Sequence, residues 1–239
     1  MIFCHLHKIS DRLTKTDGNG GNLTVDIYSI AELESFLLSQ PVNTTCNIKL
    51  NVSDLGGASY TAGSVGSVFY ANKNKYVNLD LSGSTFTSIG ASAFSGSGLT
   101  SVTIPNSVTS IGESAFYGSG LTSITIPGSV TSFTASAFKN CTNLASIIIE
   151  NNLTKSQNDI FENCTSLTSV TIRSSVTDMY VYDFSNCTNI TSVTFEKPGI
   201  NIRNAFPSSD NLKTAYSTGG IGTYTRPNTS STTWTKISS

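Results

Sequence analysis

Histidine is almost missing from this chain of 239 residues: His5 and His7 are the only two, and both precede the regular part of the sequence. The remainder has no imidazole for a nucleophile–base pair or for most zinc sites. Charge is scarce as well, at 12% of residues, with Lys and Arg totalling 14, Asp and Glu totalling 15, and a net charge of −1. Such a surface has nothing to draw nucleic acid or an anionic membrane toward it. The acids are scattered, which leaves no converging carboxylate pair for general acid–base work, and no phosphate loop or dinucleotide fingerprint occurs. No apolar run approaches the roughly 18 residues of a membrane span. Met1 to Lys15 breaks every short apolar stretch with a histidine or a charge, so no secretory signal is expected there. The five cysteines, Cys4, Cys46, Cys141, Cys164 and Cys187, are an odd number and do not indicate a closed disulfide framework. No catalysis, cofactor or metal is expected on these grounds. Cys4 with His5 and His7 reads as part of a disordered start over residues 1–21.

What the chain has in place of charge is Ser, Thr, Asn and Gly, set on a period. From Leu99 it reads LTSVTIPNSVTSIGESAFYGSG, from Leu121 LTSITIPGSVTSFTASAFKNCTN, from Leu144 LASIIIENNLTKSQNDIFENCTS, and from Leu167 LTSVTIRSSVTDMYVYDFSNCTN. A degenerate copy starts at Ile190, and an earlier one at Tyr76 has one residue inserted, which makes six copies over 76–211. In each, apolar Val102 and Ile104 alternate with Ser101 and Thr103 or their equivalents, the period of a half-buried strand. Asn, Gly or Ser at 106, 107, 128 and 129 then turns the chain. Val108, Ile111, Ala115 and Phe116 bring it back along an irregular or short helical path.

One such unit is too small to bury its own apolar face, but stacked units share a continuous core. The expected fold is therefore an α/β repeat, a right-handed solenoid with a parallel β-sheet on one face. Its apolar positions become ladders, the clearest being Phe94, Phe116, Phe138, Phe161, Phe184 and Phe206, at intervals of 22, 22, 23, 23 and 22 residues. Residues 22–75 predict an N-terminal α/β cap: LTVDIYS and CNIKLNV are strands flanking a helix over Ile30 to Ser39, with Ala31, Leu33, Phe36 and Leu37 on its buried side. Residues 212–239, with Tyr224 and Trp234 either side of RPNTSS, predict a C-terminal β-hairpin cap.

The phrase LTSVTIPNSVTSIGESAF closely resembles the BspA-type class of leucine-rich repeats, whose pattern is Leu-x-x-Ile-x-Ile-Pro, spaced Val and Ile, Ala-Phe, and often Asn-Cys. The resemblance implies a bacterial protein of the cell surface or exterior. Its implied partner is a host or matrix protein, a glycan, or another cell-surface protein. It also implies that Cys141, Cys164 and Cys187 are small buried plugs. Their spacing by 23 would also permit a disulfide between one adjacent pair, although the buried-plug reading is favoured.

The candidate binding face is the outward side of the repeat strands. Ser101, Ser123, Ser146, Ser169 and Ser192 form one column, and Thr103, Thr125, Ile148, Thr171 and Thr194 the next. Ile148 places an apolar group where Thr is the rule, and Glu150, Arg173 and Glu196 form a column of alternating charge. Either register pinning or partner contact would account for that column. The functional expectation is a non-enzymatic binding or adhesion module, with a passive spacer or assembly subunit as the alternative.

Overall fold

A computed structural model describes residues 24–150, 159–173, 176–177, 184–202, 205–206 and 210–237. The expected start over 1–21 lies outside these residues. The chain is a β-solenoid whose coils pile up in parallel. Strands β1 (Thr24–Ile27), β2 (Thr45–Leu50), β3 (Tyr76–Asp80) and β5 (Leu99–Thr103) form one parallel sheet in that order. Strands β7 (Ser123–Ile126), β9 (Ser146–Ile149), β10 (Ser169–Ile172) and β11 (Ser192–Phe195) continue it as a second. Between β5 and β7 the coils are held by Thr122 N–H to Thr100 O and Gly120 N–H to Ser97 O. Equivalent residues face each other across the strands, Ser123 with Ser146, Ser146 with Ser169 and Ser169 with Ser192.

The returning half of the coil is more regular than its sequence indicates. Ser88–Ile89 (β4), Ser110–Ile111 (β6) and Ser132–Phe133 (β8) build a third parallel sheet. After it, four of the Phe amides donate to the next coil: Phe94 to Ala115 O, Phe116 to Ala137 O, Phe138 to Ile160 O and Phe184 to Ala205 O, at 2.7 to 2.9 Å. The six Phe rings are buried and stacked, with centroid separations of 5.2, 5.0, 5.3, 5.1 and 4.7 Å and interplanar angles of 18° or less. That spacing matches the roughly 4.8 Å between paired strands, so rings and backbones keep one register.

Two further columns hold the sharp corners. Gly96, Gly118, Asn140, Asn163 and Asn186 occupy one equivalent position with φ between 60° and 64°. Gly adopts this left-handed backbone freely, and Asn is the side chain that tolerates it best. The Asn amides then bond coil to coil: Asn163 Nδ2 donates to Asn140 Oδ1 (2.9 Å) and Asn186 Nδ2 to Asn163 Oδ1 (2.8 Å). Ser92, Ser114, Ser136 and Asp159 form the second left-handed column.

Next to the Asn corner, Ser97, Ser119, Cys141, Cys164 and Cys187 share one buried position. The three cysteines are free thiols, as is buried Cys46. Each Sγ of the three donates to the Phe carbonyl of the preceding coil: Cys141 to Phe116 O (3.0 Å), Cys164 to Phe138 O (3.3 Å) and Cys187 to Phe161 O (3.0 Å). The neighbouring thiols Cys141 and Cys187, together with burial, push the Cys164 thiol far up from its ordinary range. The group therefore remains a protonated, inert donor.

Upstream of the regular coils, the return legs are helical. Helix α1 (Ile30–Ser39) starts at Ser29, whose Oγ accepts from Glu32 N–H, and it stops before Pro41. Leu33, Phe36 and Leu37 are buried in it, whereas Ala31 is exposed, contrary to the sequence expectation. A second helix, α2 (Val65–Ala71), was not anticipated; Ser64 caps it, and it seats so closely that a Cβ on Gly66 would lie 2.1 Å from Ala93 O.

The other end differs from the hairpin expected for the whole of 212–239. Its first part is a helix, α3 (Asp210–Gly219), because Leu212 and Tyr216 share a face that buries against the last coil. Gly220, at φ 66°, ends it. Only then come β12 (Gly222–Thr225) and β13 (Thr235–Lys236), antiparallel to each other, with β12 antiparallel to β11. Arg226 is buried there, 5% exposed. Its Nε donates to Ile190 O (2.6 Å), its Nη2 to Thr188 O (2.8 Å) and its Nη1 to Ser231 O (3.2 Å), beneath the Trp234 ring. One guanidinium thus satisfies carbonyls that a further coil would otherwise engage.

Three outcomes are expected. Phe138→Ala lowers stability by about 3 to 5 kcal/mol in denaturant unfolding, while exposed Thr125→Ala changes it little; equal effects would contradict the register. Arg226→Met costs about 3 kcal/mol through the orphaned carbonyls, and Arg226→Lys, with one ammonium for three acceptors, recovers only part of it. Alkylation followed by peptide mass mapping should leave Cys141, Cys164 and Cys187 unlabelled in the native protein and label all three in denaturant. Native labelling of any of the three would contradict their placement as plugs.

Candidate functional site

On the main sheets, residues between the buried positions point outward in two rows. Register places Thr24, Asn47, Asn78 and Ser101 in one row and Asp26, Lys49, Asp80 and Thr103 in the other. Beyond the break, Ser123, Ser146, Ser169 and Ser192 continue the first, and Thr125, Ile148, Thr171 and Thr194 the second. From Ser123 to Ser192 and from Thr125 to Thr194 the columns expected from the repeat are therefore neighbours, and Ser101 and Thr103 lie across the break. Thr103, Ser123 and Thr125 are exposed, and Ser101, Ser146, Ile148, Ser169, Thr171, Ser192 and Thr194 are half-buried. β12 extends both rows: Thr225 pairs with Ser192 and Thr223 with Thr194, whose hydroxyls meet at 2.9 Å.

The charge column sits one residue past the strand ends. Backbone N–H groups of Glu150, Arg173 and Glu196 still donate to Ile126, Ile149 and Ile172 of the preceding coils, so the ladder runs on beneath them. Arg173 Nη1 bonds Glu196 Oε1 at 2.7 Å, with the side chains 43% and 34% exposed. A pair that wet contributes about 0 to 1 kcal/mol. The Arg173 Nε is buried without a hydrogen-bond partner among the described residues, which leaves one donor of the guanidinium unused.

At the other end of the same face, a groove of about 430 Å³ opens over β1, β2, β3 and β5. Thr24, Asn47, Asn78, Asp80, Ser101 and Thr103 supply its polar lining. Asn78 is the hub: its Nδ2 donates to Asn47 Oδ1 (2.8 Å), and its Oδ1 accepts from Thr100 Oγ1 (2.8 Å) and Ser101 Oγ (2.9 Å). Asp80 Oδ1 accepts from Ser82 N–H (2.8 Å). Ser101 and Thr103 were expected on the face. Thr24 and Asn47, which precede the six copies, and Asn78 and Asp80, which stand in the first and irregular copy, were not; the signal available was the alternation within CNIKL and YVNLD.

Among the described residues, no group of three or more His, Cys, Asp and Glu is placed to hold a metal ion. No helix there is long and apolar enough to cross a membrane.

Three solved bacterial proteins are among those the chain is similar to. A leucine-rich repeat protein from Bacteroides ovatus is 22% identical over 64% of this chain and 37% of its own, with a TM-score of 0.46. One from Eubacterium ventriosum is 21% identical over 62% of this chain and 48% of its own, with a TM-score of 0.40. A leucine-rich cell surface protein from Faecalibacterium prausnitzii is 16% identical over 75% of this chain and 79% of its own, at 0.21. The chain thus spans less than half the length of the first two. No curated protein matches it. The family model of the BspA type leucine-rich repeat region matches in six copies, over residues 63–191 and 114–225. With that match running over more than half its length, the chain belongs to the BspA type leucine-rich repeat family.

Proposed function

We propose that the chain is a non-catalytic binding module of the cell exterior that engages a protein partner through the outward rows of its sheet. The observation that carries this is the departure of one patch from the repeat. Ile148 lies between Thr125 and Thr171 in the second row, and the Arg173–Glu196 pair lies at the end of the adjoining strands. An apolar centre with hydroxyls around it and an Arg at the rim is the composition of a protein-binding patch. Stability offers little reason for it, since a Thr at 148 would suit the exposed strand and a surface ion pair contributes little. A setting at the cell surface or exterior comes from the family, in which surface location is typical.

The test is a binding screen of the purified chain against extracellular-matrix proteins, repeated with Ile148→Asp, with Arg173→Glu, and with Glu113→Ala, an exposed change on the return side. Binding that falls about tenfold or more with the two sheet variants and persists in Glu113→Ala supports the sheet face. Equal behaviour of all three favours a passive spacer instead.

A further inference from the structure

The groove over β1, β2, β3 and β5 differs in chemistry from the Ile148 patch. Its polar lining is amide, carboxylate and hydroxyl, and the two apolar residues of its floor, Ile48 and Leu79, are buried in the core. Its floor is mid-sheet, where β2 and β3 have both edges paired and offer an extended peptide no strand edge to join; the edge of β1 lies at its rim. Its second row runs Asp26, Lys49, Asp80, a net negative set that repels anionic ligands. Donors and acceptors remain available: Asn47 Nδ2 has no partner among the described residues, and Asp80 keeps its Oδ2 after capping Ser82 with Oδ1. Tyr76, two residues before Asn78 on the same strand and the same side, is 47% exposed and lies outside the groove's own lining.

A side-chain amide and a carboxylate on adjacent strands offer paired donors and acceptors to adjacent hydroxyls of a sugar ring, and an exposed aromatic face offers a platform for its C–H side. We propose that this groove is a binding site for a neutral oligosaccharide, with Asn47 and Asp80 gripping ring hydroxyls, Asn78 fixing Asn47 and Ser101, and Tyr76 stacking on a neighbouring ring. The proposal rests on the reading of the sheet as the binding face, yet it uses none of the residues of the Ile148 patch, so each can fail alone.

Calorimetric titration of the full chain with cellohexaose, xylohexaose, mannohexaose and maltohexaose, and with heparin as an anionic probe, tests it. At least one neutral hexasaccharide should bind. Asp80→Asn, which preserves the acceptor for Ser82, and Tyr76→Ala, which removes an exposed ring, should each weaken it about tenfold at unchanged Tm, the loss of one charge-assisted bond or one stacking contact. Ile148→Asp should leave the sugar affinity unaltered. Failure of all four neutral sugars to bind, preference for heparin, or affinity that survives both groove variants overturns the assignment. Sugar binding that is intact while Arg173→Glu has no effect on matrix proteins would sink the protein-patch reading and leave the groove standing.

Discussion

Every other feature depends on the contact between each coil and the next, made at one spacing on all sides of the solenoid. The rings from Phe94 to Phe206 lie 4.7 to 5.3 Å apart, the separation that parallel strands also require. Burial of a Phe contributes roughly 1.5 to 3 kcal/mol, but only if the coil that carries it sits in register with its neighbours. An error of one residue would turn buried Val102 or Ile124 outward and bring the Ser and Thr rows in. The sequence tolerates copies of both 22 and 23 residues because the ring, strand and corner positions are conserved in space and the difference is absorbed between them.

Polar residues follow the same logic as the apolar ones. The corner needs a left-handed residue, so Gly or Asn stands there, and where it is Asn the amides continue the stacking as a hydrogen-bonded ladder. The adjoining buried position takes a small side chain with a weak donor, Ser in the earlier coils and Cys in the later ones. The Cys thiols satisfy carbonyls of the Phe segment. Past β11 the chain runs back as antiparallel β12, and buried Arg226 supplies donors to Thr188 and Ile190. The interior so built leaves the outward rows out of the buried core, and it is there that Ile148 and Asn47 differ from the Ser and Thr of the other coils.

How much of this was legible in the sequence follows from which contacts repeat. The strands, the Phe column and the serine and threonine rows recur at 22 or 23 residues and could be read directly. The helix at Ile30–Ser39 was legible through its buried Leu33, Phe36 and Leu37. Helix α2 was missed because Gly66 and Ser67 mask the i, i+3, i+4 spacing of Val65, Val68 and Phe69. Helix α3 was read as strand because Thr214, Ser217, Thr218 and Gly219 are poor helix formers, and packing of Leu212 and Tyr216 overrode that preference. The groove was invisible for a different reason. Asn47 and Asn78 are 31 residues apart, outside the period, so their meeting follows from the longer helical return of that coil. The patch around Ile148 stood out because it breaks a pattern; the groove spans the junction between the upstream strands and the first, irregular copy, where Asn78 and Asp80 stand in place of the later Ser and Thr.

The most direct measurement of the central claim is a pair of double-mutant cycles in denaturant unfolding, one on Phe138 and Phe161 and one on Phe138 and Phe184. Stacked neighbours should couple by about 0.5 to 1.5 kcal/mol, and rings separated by an intervening coil should couple by close to zero. Equal coupling in both cycles, or none between Phe138 and Phe161, would contradict coils held in register by one ring meeting the next.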